Sequence, residues 1–343
     1  MDKIVITGAS GFIGGHVAEY FCSQGLRPLC MLRDVGKSAF LRTLPVELVQ
    51  GDVRSPADLR PVFTGARLVI HTAAKVSDWG RYSDFHTVNV AGTVNVVRAA
   101  IEAGCSHVII TGTNSCYGEE NSTVIKNEDS GYNPHYPYFL DRVFPSGLNH
   151  YRDTKAQGNT QAMELAARHN LDLTIIEPVW VYGEREFRSG FYEYLKTVGS
   201  GIPFFPGSAK NRFHTIYVRD LARLYYLAAK AHPRGVQRYL ACDPTAEKQR
   251  TLFAMFCHAA GYRLPRRLPK FLVYPPALLM EAVAQLFGAR RAPLLTRATV
   301  NIFYDNIEYS GDRARRELGF ASAYAREESI RRTVAWYRDN NLL

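Results

Sequence analysis

The sequence predicts an α/β protein: a doubly wound parallel sheet followed by a smaller, mostly helical C-terminal lobe. Three observations lead there. Short β-rich runs alternate with helical patterns over the first two-thirds of the chain. A glycine-rich turn, TGASGFIGG at Thr7–Gly15, follows the first strand directly and opens the first helix. After Gly183 the rhythm changes to frequent Gly, Pro and aromatic residues with shorter strands.

The elements follow in order. Strand candidates are 3–7, 28–32, 47–50, 68–71, 107–111 and 173–177, with helical segments near 12–24, 57–63, 84–103 and 151–169. A further strand candidate, 237–241, rejoins the sheet. From about Pro244 the pattern is helical again. A sheet of this kind binds ligands beyond the carboxyl ends of its strands, where the strand order reverses.

The 343 residues suffice for a sizeable core and two lobes, and 46% hydrophobic with 22% charged residues reads as an ordinary globular protein. The net charge of +10 suits an anionic ligand, a membrane surface or nucleic acid. No long Lys/Arg run stands alone, so nucleic acid is not an expected partner. The six cysteines form no CxxC and no zinc-spaced Cys/His cluster, so neither a metal nor a disulfide framework is expected. MDKIVITGAS enters a strand directly, without the pattern of a signal peptide. The expected location is cytoplasmic, with a peripheral position on the inner membrane surface left open. That option comes from the apolar stretch Phe271–Phe287, read as helical from about Pro276. Arg266, Arg267 and Lys270 precede it, and Arg290 and Arg291 follow. A lobe helix packed on the core and an interfacial helix at 271–291 both fit. Pro275, Pro276 and Glu281 argue against a spanning helix.

Gly8, Gly11 and Gly14 give the spacing GxxGxxG. The first permits a tight turn, the second lets backbone approach a pyrophosphate, and the third lets helix and sheet pack closely. The helix N-terminus then offers free N–H groups to the phosphates. In its strand–turn–helix setting this is a strong sign of a Rossmann-type dinucleotide site. The spacing resembles that of the extended short-chain dehydrogenase/reductase family, in the epimerase/dehydratase superfamily. The choice of nicotinamide cofactor is read from the end of the second strand, LCMLRDVGK. Arg33, with Lys37 nearby, favours NADP(H), because a guanidinium grips the extra phosphate bidentately. Asp34 could serve a ribose and leaves NAD(H) open. The pattern also resembles the NADPH-using dihydroflavonol reductases, whose arginine matches Arg33 by position.

Further resemblances follow along the chain. GDV at Gly51–Val53 resembles the adenine-contacting turn, with Asp52 near the adenine amino group. HTAAK at His71–Lys75 resembles the loop beside the ribose, and NVAGT at Asn89–Thr93 the helix-anchoring Asn–Gly–Thr. PVWVYG at Pro178–Gly183 resembles the segment after the sixth strand. The family commonly has arginine just before that proline; here it is Glu177. The cofactor-binding set is then Gly8, Ser10, Gly11, Phe12, Ile13 and Gly14 of the turn, with Arg33, Lys37, Asp52, Val53, Ala73, Ala74, Lys155 and Pro178. It assigns 1–182 to the dinucleotide-binding domain, rejoined by 212–243, and 183–211 with 244–343 to the substrate lobe. A homodimer through the helices flanking the sheet is a further family expectation.

Tyr–Lys pairs four residues apart include Tyr151/Lys155 in NHYRDTKA and Tyr192/Lys196 in YEYLK. With 20 Tyr in the chain, chance supplies roughly 0.6 such pairs, so spacing alone decides nothing. Residues four apart share a helix face, where an ammonium can lower a phenol's pKa and hold a ribose. A free phenol titrates near about pH 10, and bringing it to neutrality takes about 4 kcal/mol. Tyr151 opens the helix between the fifth and sixth strands, near their carboxyl ends, where a nicotinamide must be met. Tyr192 falls after the sixth strand and reads as lobe packing. The third group hangs from the fifth strand, in IITGTNSCYG. The family usually has serine there. Counting back from Tyr117–Gly118 puts the slot on Thr113, whose hydroxyl can donate the same hydrogen bond, with Ser115 as the alternative.

Between Thr113 and Tyr151 runs GYNPHYPYFLDRVFPSGLNH. Its Tyr132, Tyr136, Tyr138, Phe139 and Phe144 could form a lid over an apolar substrate, or a folded surface excursion. The stretch AAKVSDWGRYSDFHTVNVAGTVNV resembles the 3β-hydroxysteroid dehydrogenase branch and its bacterial relatives acting on sterols or long-chain β-keto acids. Three functions are weighed: an NADP(H)-dependent oxidoreductase interconverting an alcohol and a ketone on an apolar substrate; a nucleotide-sugar epimerase or dehydratase with tightly bound NAD and a diphosphate site at Arg212 and Arg219; and a cofactor-sensing binding protein. The Thr113/Tyr151/Lys155 set argues against the last.

Overall fold

In the computed structural model, the residues described are 2–118, 124–186, 190–208 and 210–343, and the side chain of Lys37 lies outside that set. Six strands come in order: β1 (Lys3–Thr7), β2 (Leu29–Leu32), β3 (Glu47–Gln50), β4 (Ala66–His71), β5 (His107–Thr111) and β6 (Asp172–Pro178). Three short ones, β7 (Trp180–Tyr182), β8 (Phe204–Pro206) and β9 (Arg212–Phe213), precede β10 (Thr215–Tyr217) and β11 (Val236–Ala241). β12 (Glu247–Lys248) and β13 (Arg266–Leu268) complete the strands. β1–β6 and β11 form one sheet in the order β11-β6-β5-β4-β1-β2-β3, parallel throughout. The order reverses between β1 and β4, so the ligand crevice opens past the ends of those two strands. The other strands pair as ribbons, β7 with β10, β8 with β13 and β9 with β12.

Strands buried on both faces need helices on both. On one face α2 (Pro56–Phe63), α4 (Thr93–Glu102) and α5 (Gly147–Arg168) bring Leu59, Phe63, Val96, Val97, Ala162 and Ala166 onto Val5, Val69 and Val108. On the other, α1 (Phe12–Ser23) and α7 (Val218–Ala231) pack Phe21, Leu221, Leu224 and Tyr225 onto Ile6, Ile70 and Ile109. The predicted helix 84–103 is three pieces: α3 (Tyr82–Phe85), a π-helical stretch His86–Gly92, and α4. The lobe holds α6 (Gly190–Gly199), α8 (Gln249–Ala259), α9 (Lys270–Leu286) and α10 (Arg297–Tyr304); α11 (Asp312–Leu318) packs on β11 and α7, and α12 (Arg326–Asp339) on α8.

Two helix starts differ from the sequence reading. α5 begins at Gly147, four residues early, because that glycine lets the helix lie against backbone: a Cβ there would come 2.3 Å from the Asp78 carbonyl oxygen. α9 begins at Lys270 and runs through Pro275 and Pro276. Both prolines are exposed, as are Phe271 and Leu272, whose carbonyls lose their helical donors there and reach water. Among the described residues, no helix is long and apolar enough to cross a membrane.

Candidate active site

The glycine turn forms a cradle at the mouth of the crevice. Gly8 sits at φ +75°, and a Cβ there would come 2.5 Å from the Ala73 nitrogen. A Cβ on Gly14 would come 2.5 Å from both the Gly8 carbonyl oxygen and the Thr72 hydroxyl. Gly11 donates its N–H to Gly8 O at 2.9 Å and caps α1 with extended backbone. No acidic residue lies in the first turn of α1, and Ser10 and Gly11 are exposed while Phe12 and Ile13 are half-buried. A helix start leaves its first amides without helical partners, and with no acidic residue beside them they fit a pyrophosphate.

The rest of the expected cofactor set lines the same strand ends. Arg33 and Asp34 are exposed past β2. One Asp34 oxygen accepts the Gly36 N–H at 2.9 Å and caps the short turn 35–37. Asp52 is held in a fork by Arg54 at 2.6–3.0 Å, which keeps its carboxyl below the usual range. Val53 is buried against Gly92. Ala73 and Ala74 are half-buried in the loop after β4. Asn89 bolts that loop down. Its side chain accepts from Lys75 N at 2.8 Å and donates to Lys75 O at 3.1 Å and to Thr154 on α5 at 3.2 Å. Pro178 is buried at the end of β6.

Tyr151 and Lys155 lie one turn apart on α5. Lys155 is buried, and its ammonium donates to the Thr111 carbonyl at 2.7 Å, at the very end of β5. Burial pushes its pKa down to about 8, with Cys116 and Glu177 pulling the other way. Two residues past Thr111 stands Thr113, also buried. It caps the 3-10 turn Asn114–Tyr117, and its hydroxyl accepts from Ser115 N at 3.3 Å. Ser115 is buried inside that turn. The fold therefore gathers Lys155, Thr113 and Ser115 at the end of β5, with half-buried Tyr151 one turn earlier on the helix that carries Lys155. The rival pair is lobe packing: Tyr192 is buried against Tyr337, and the Lys196 ammonium lies over its ring at 5.8 Å.

The segment before α5 is folded onto its surroundings. Asn149 of α5 accepts from Tyr136 N at 3.0 Å and donates to Tyr136 O at 2.8 Å, and Arg152 donates to the Tyr138 hydroxyl at 3.1 Å. Arg297, buried and paired with Glu281 at 2.8 Å, donates to the Phe139 and Phe144 carbonyls. His135 bridges Asp153 at 2.8 Å and Asp141 at 3.1 Å; burial lowers its pKa, but these carboxylates outweigh that and raise it. Arg212 is engaged by Glu308 and the Ala246 carbonyl, and Arg219 by Glu184 and Glu19.

Sequence reasoning missed two buried networks. His71 sits between the Thr7 hydroxyl at 2.8 Å and the Thr93 hydroxyl at 3.2 Å, held neutral by burial and by Lys155. Glu177 was noted only as a departure from pattern, yet it gathers Tyr117 and Tyr132 beneath the site.

A family model described as "NAD dependent epimerase/dehydratase family" matches residues 4–241. Sterol demethylase protein B of Methylococcus capsulatus is 27% identical over 99% of both chains. 3 beta-hydroxysteroid dehydrogenase type 7 of Mus musculus is 27% identical, over 97% of this chain and 94% of that one. The chain spans 61% of the length of the Arabidopsis thaliana 3beta-hydroxysteroid-dehydrogenase/decarboxylase isoform 2, at 25% identity over 96% of its own. Among solved structures, gox2253 superposes with TM-score 0.79 at 25% identity over the whole of both chains. DesIV, a dTDP-glucose 4,6-dehydratase from Streptomyces venezuelae with NAD and TYD bound, shares the fold at TM-score 0.77 and 19% identity, over 99% and 98% of the chains. Sheet, crevice and relatives agree on one class, the NAD(P)-dependent oxidoreductases on a Rossmann-type sheet. Within that class the chain belongs to the NAD dependent epimerase/dehydratase family.

Proposed function

We propose that the chain interconverts a secondary alcohol and a ketone on an apolar substrate, sterol-like or a long-chain β-keto acid, with NADP(H). The observation that carries this is Lys155, a buried ammonium fixed to the Thr111 carbonyl at the end of β5, two residues before buried Thr113, with Tyr151 one turn away. When bound in the crevice, a nicotinamide cofactor would supply or take up the hydride. Tyr151 passes a proton to or from the substrate oxygen, and Thr113 donates a hydrogen bond to that oxygen. Lys155 holds the cofactor's ribose and lowers the phenol's pKa. Arg33, exposed past β2, supports the phosphate-bearing cofactor.

The substrate class has support from relatives named for steroids and from the 2-alkyl-3-oxoalkanoate reductase of Shewanella oneidensis, 24% identical over 96% of this chain. The nucleotide-sugar alternative has less: the two arginines it needs already hold Glu308 and Glu184. We further propose that the enzyme works at an anionic membrane surface through α9. The test of the reaction is the reduced-nicotinamide absorbance with hydroxysteroids, long-chain β-keto acids and UDP-sugars in turn. Net change with either apolar class is expected. Tightly retained NAD, with a UDP-sugar converted and no net redox change, would replace this reading with the epimerase.

A further inference from the structure

Glu177, at the end of β6, is fully buried. Its carboxylate accepts a hydrogen bond from the Tyr117 hydroxyl at 2.5 Å and another from the Tyr132 hydroxyl. Tyr117 closes the turn that Thr113 caps, and Tyr132 begins the segment leading to α5. Asn159 of α5 donates to the Tyr132 hydroxyl at 3.2 Å. On the neighbouring strand β11, the Arg238 guanidinium lies over both rings, 4.9 Å from Tyr132 and 5.6 Å from Tyr117, and donates to the Glu128 carbonyl. The stem of Glu177 runs directly under the backbone before Thr113: a Cβ on Gly112 would come 2.6 Å from its Cγ.

A carboxylate in such a place is costly. Filling space here would need only an apolar side chain, and burying an acid loses hydration that a few hydrogen bonds replace in part. The cost has a return if the charge acts on the site. We infer that Glu177 is a positioning residue of this site: its carboxylate seats the 112–117 turn through Tyr117 and Tyr132, and its negative charge supports the Lys155 ammonium. This rests on reading Lys155 as the group that holds the cofactor.

The surrounding charges agree. Burial pushes the Glu177 carboxyl up to about 7, against the pull of the two phenols and Arg238, while Glu128 adds to the rise. Cys116 and Glu177 raise the pKa of Lys155 against its burial, and the Lys155 charge in turn helps keep His71 neutral. An ionised Glu177 therefore keeps Lys155 charged to higher pH than burial alone allows.

The experiment measures NADPH binding by nicotinamide fluorescence across neutral to alkaline pH, for wild type, Glu177→Gln and Tyr132→Phe. Gln keeps the shape and an acceptor oxygen but removes the charge. Phe removes one donor and leaves the charge. Glu177→Gln should shift the alkaline loss of binding to lower pH by about one unit, which is tenfold weaker binding on that limb. Tyr132→Phe should keep the wild-type midpoint and lower turnover through a looser turn. Melting temperatures of both variants check folding. Superimposed curves for wild type and Glu177→Gln, or an equal shift in Tyr132→Phe, would overturn the inference. A shifted curve in an enzyme that turns over no ketone or alcohol would sink the proposed reaction and leave Glu177 standing. Absence of NADPH binding in the wild type would overturn both.

Discussion

Tyr151 is half-buried and Lys155 fully buried, and the difference fits the separate roles proposed for them. A group that hands protons to substrate must face it, whereas one that tunes and holds can sit behind. Tyr151→Phe should therefore cut turnover by orders of magnitude and leave NADPH binding nearly intact; normal turnover would sink the assignment. In the proposed reaction Arg33 serves the far end of the cofactor, with one oxygen of its rival Asp34 already spent on the Gly36 amide. Arg33→Ala should raise the KM for NADPH by about ten- to a hundredfold, the worth of a charged hydrogen bond, with that for NADH little changed. Equal losses for both cofactors would refute the phosphate role. Glu177 also makes a prediction about stability. Its folded carboxyl titrates near about 7 against an ordinary 4.5. Between those values the native protein holds a proton that the unfolded chain has lost, so this residue's contribution falls as pH rises and levels off above about 7. Glu177→Gln should remove that fall. Relative to wild type the variant gains on the order of 3 kcal/mol from about pH 4.5 to pH 7.5, read as urea midpoints. A constant difference across that range would mean that burial does not raise the carboxyl's pKa, and a difference still growing well above about pH 7 would mean that the carboxyl does not ionise in place.

At the scale of elements, α5, which carries Tyr151 and Lys155, lies close to its neighbours at its glycines. A Cβ on Gly158 would come 2.2 Å from the Asn89 carbonyl oxygen, and Asn89 in turn holds the loop after β4. In an ordinary helix Gly→Ala gains about 1 kcal/mol. Here Gly158→Ala should instead cost about 1–3 kcal/mol by overpacking and lower turnover by displacing α5, measured by thermal melts and initial rates. A stabilised variant would show that the contact is loose. Such contacts explain what the sequence could and could not tell. The strands were legible because each is a short β-rich run bounded by turns. The tight glycine turn and the placement of Tyr151 and Lys155 on one helix were legible because each is local, within one turn of helix. The starts of α5 and α9 were not, since Gly147 reads as a loop until Asp78 is seen against it, and Pro276 reads as a first residue until its exposure is known. Glu177 was invisible as a hub because its partners lie 60 and 45 residues away, on a turn and a loop that only the fold brings together.

Across the whole molecule, the surface question is what α9 faces. Val273, Ala277 and Glu281 point inward, Glu281 onto Arg297, while Phe271, Leu279, Leu286 and Phe287 stand exposed, Phe287 at 85%. Arg297 and Gln285 also hold the 139–145 segment by its carbonyls, which places exposed Phe139, Leu140 and Val143 beside the helix. Exposed Arg142, Arg290 and Arg291 flank this patch on a chain of net charge +10. Apolar side chains ringed by arginine suit an anionic lipid surface, which would also bring an apolar substrate to the segment ahead of Tyr151. The protein should therefore co-sediment with vesicles containing phosphatidylserine and far less with pure phosphatidylcholine, and added salt should weaken the binding. Leu286→Asp with Phe287→Asp removes two side chains worth about 2 kcal/mol each on burial. That variant should lose at least tenfold in vesicle affinity while melting as wild type does. Undiminished sedimentation would overturn the membrane reading. So would light scattering that finds wild-type dimers and monomers of the variant, for the patch would then be covered by a second copy of the chain.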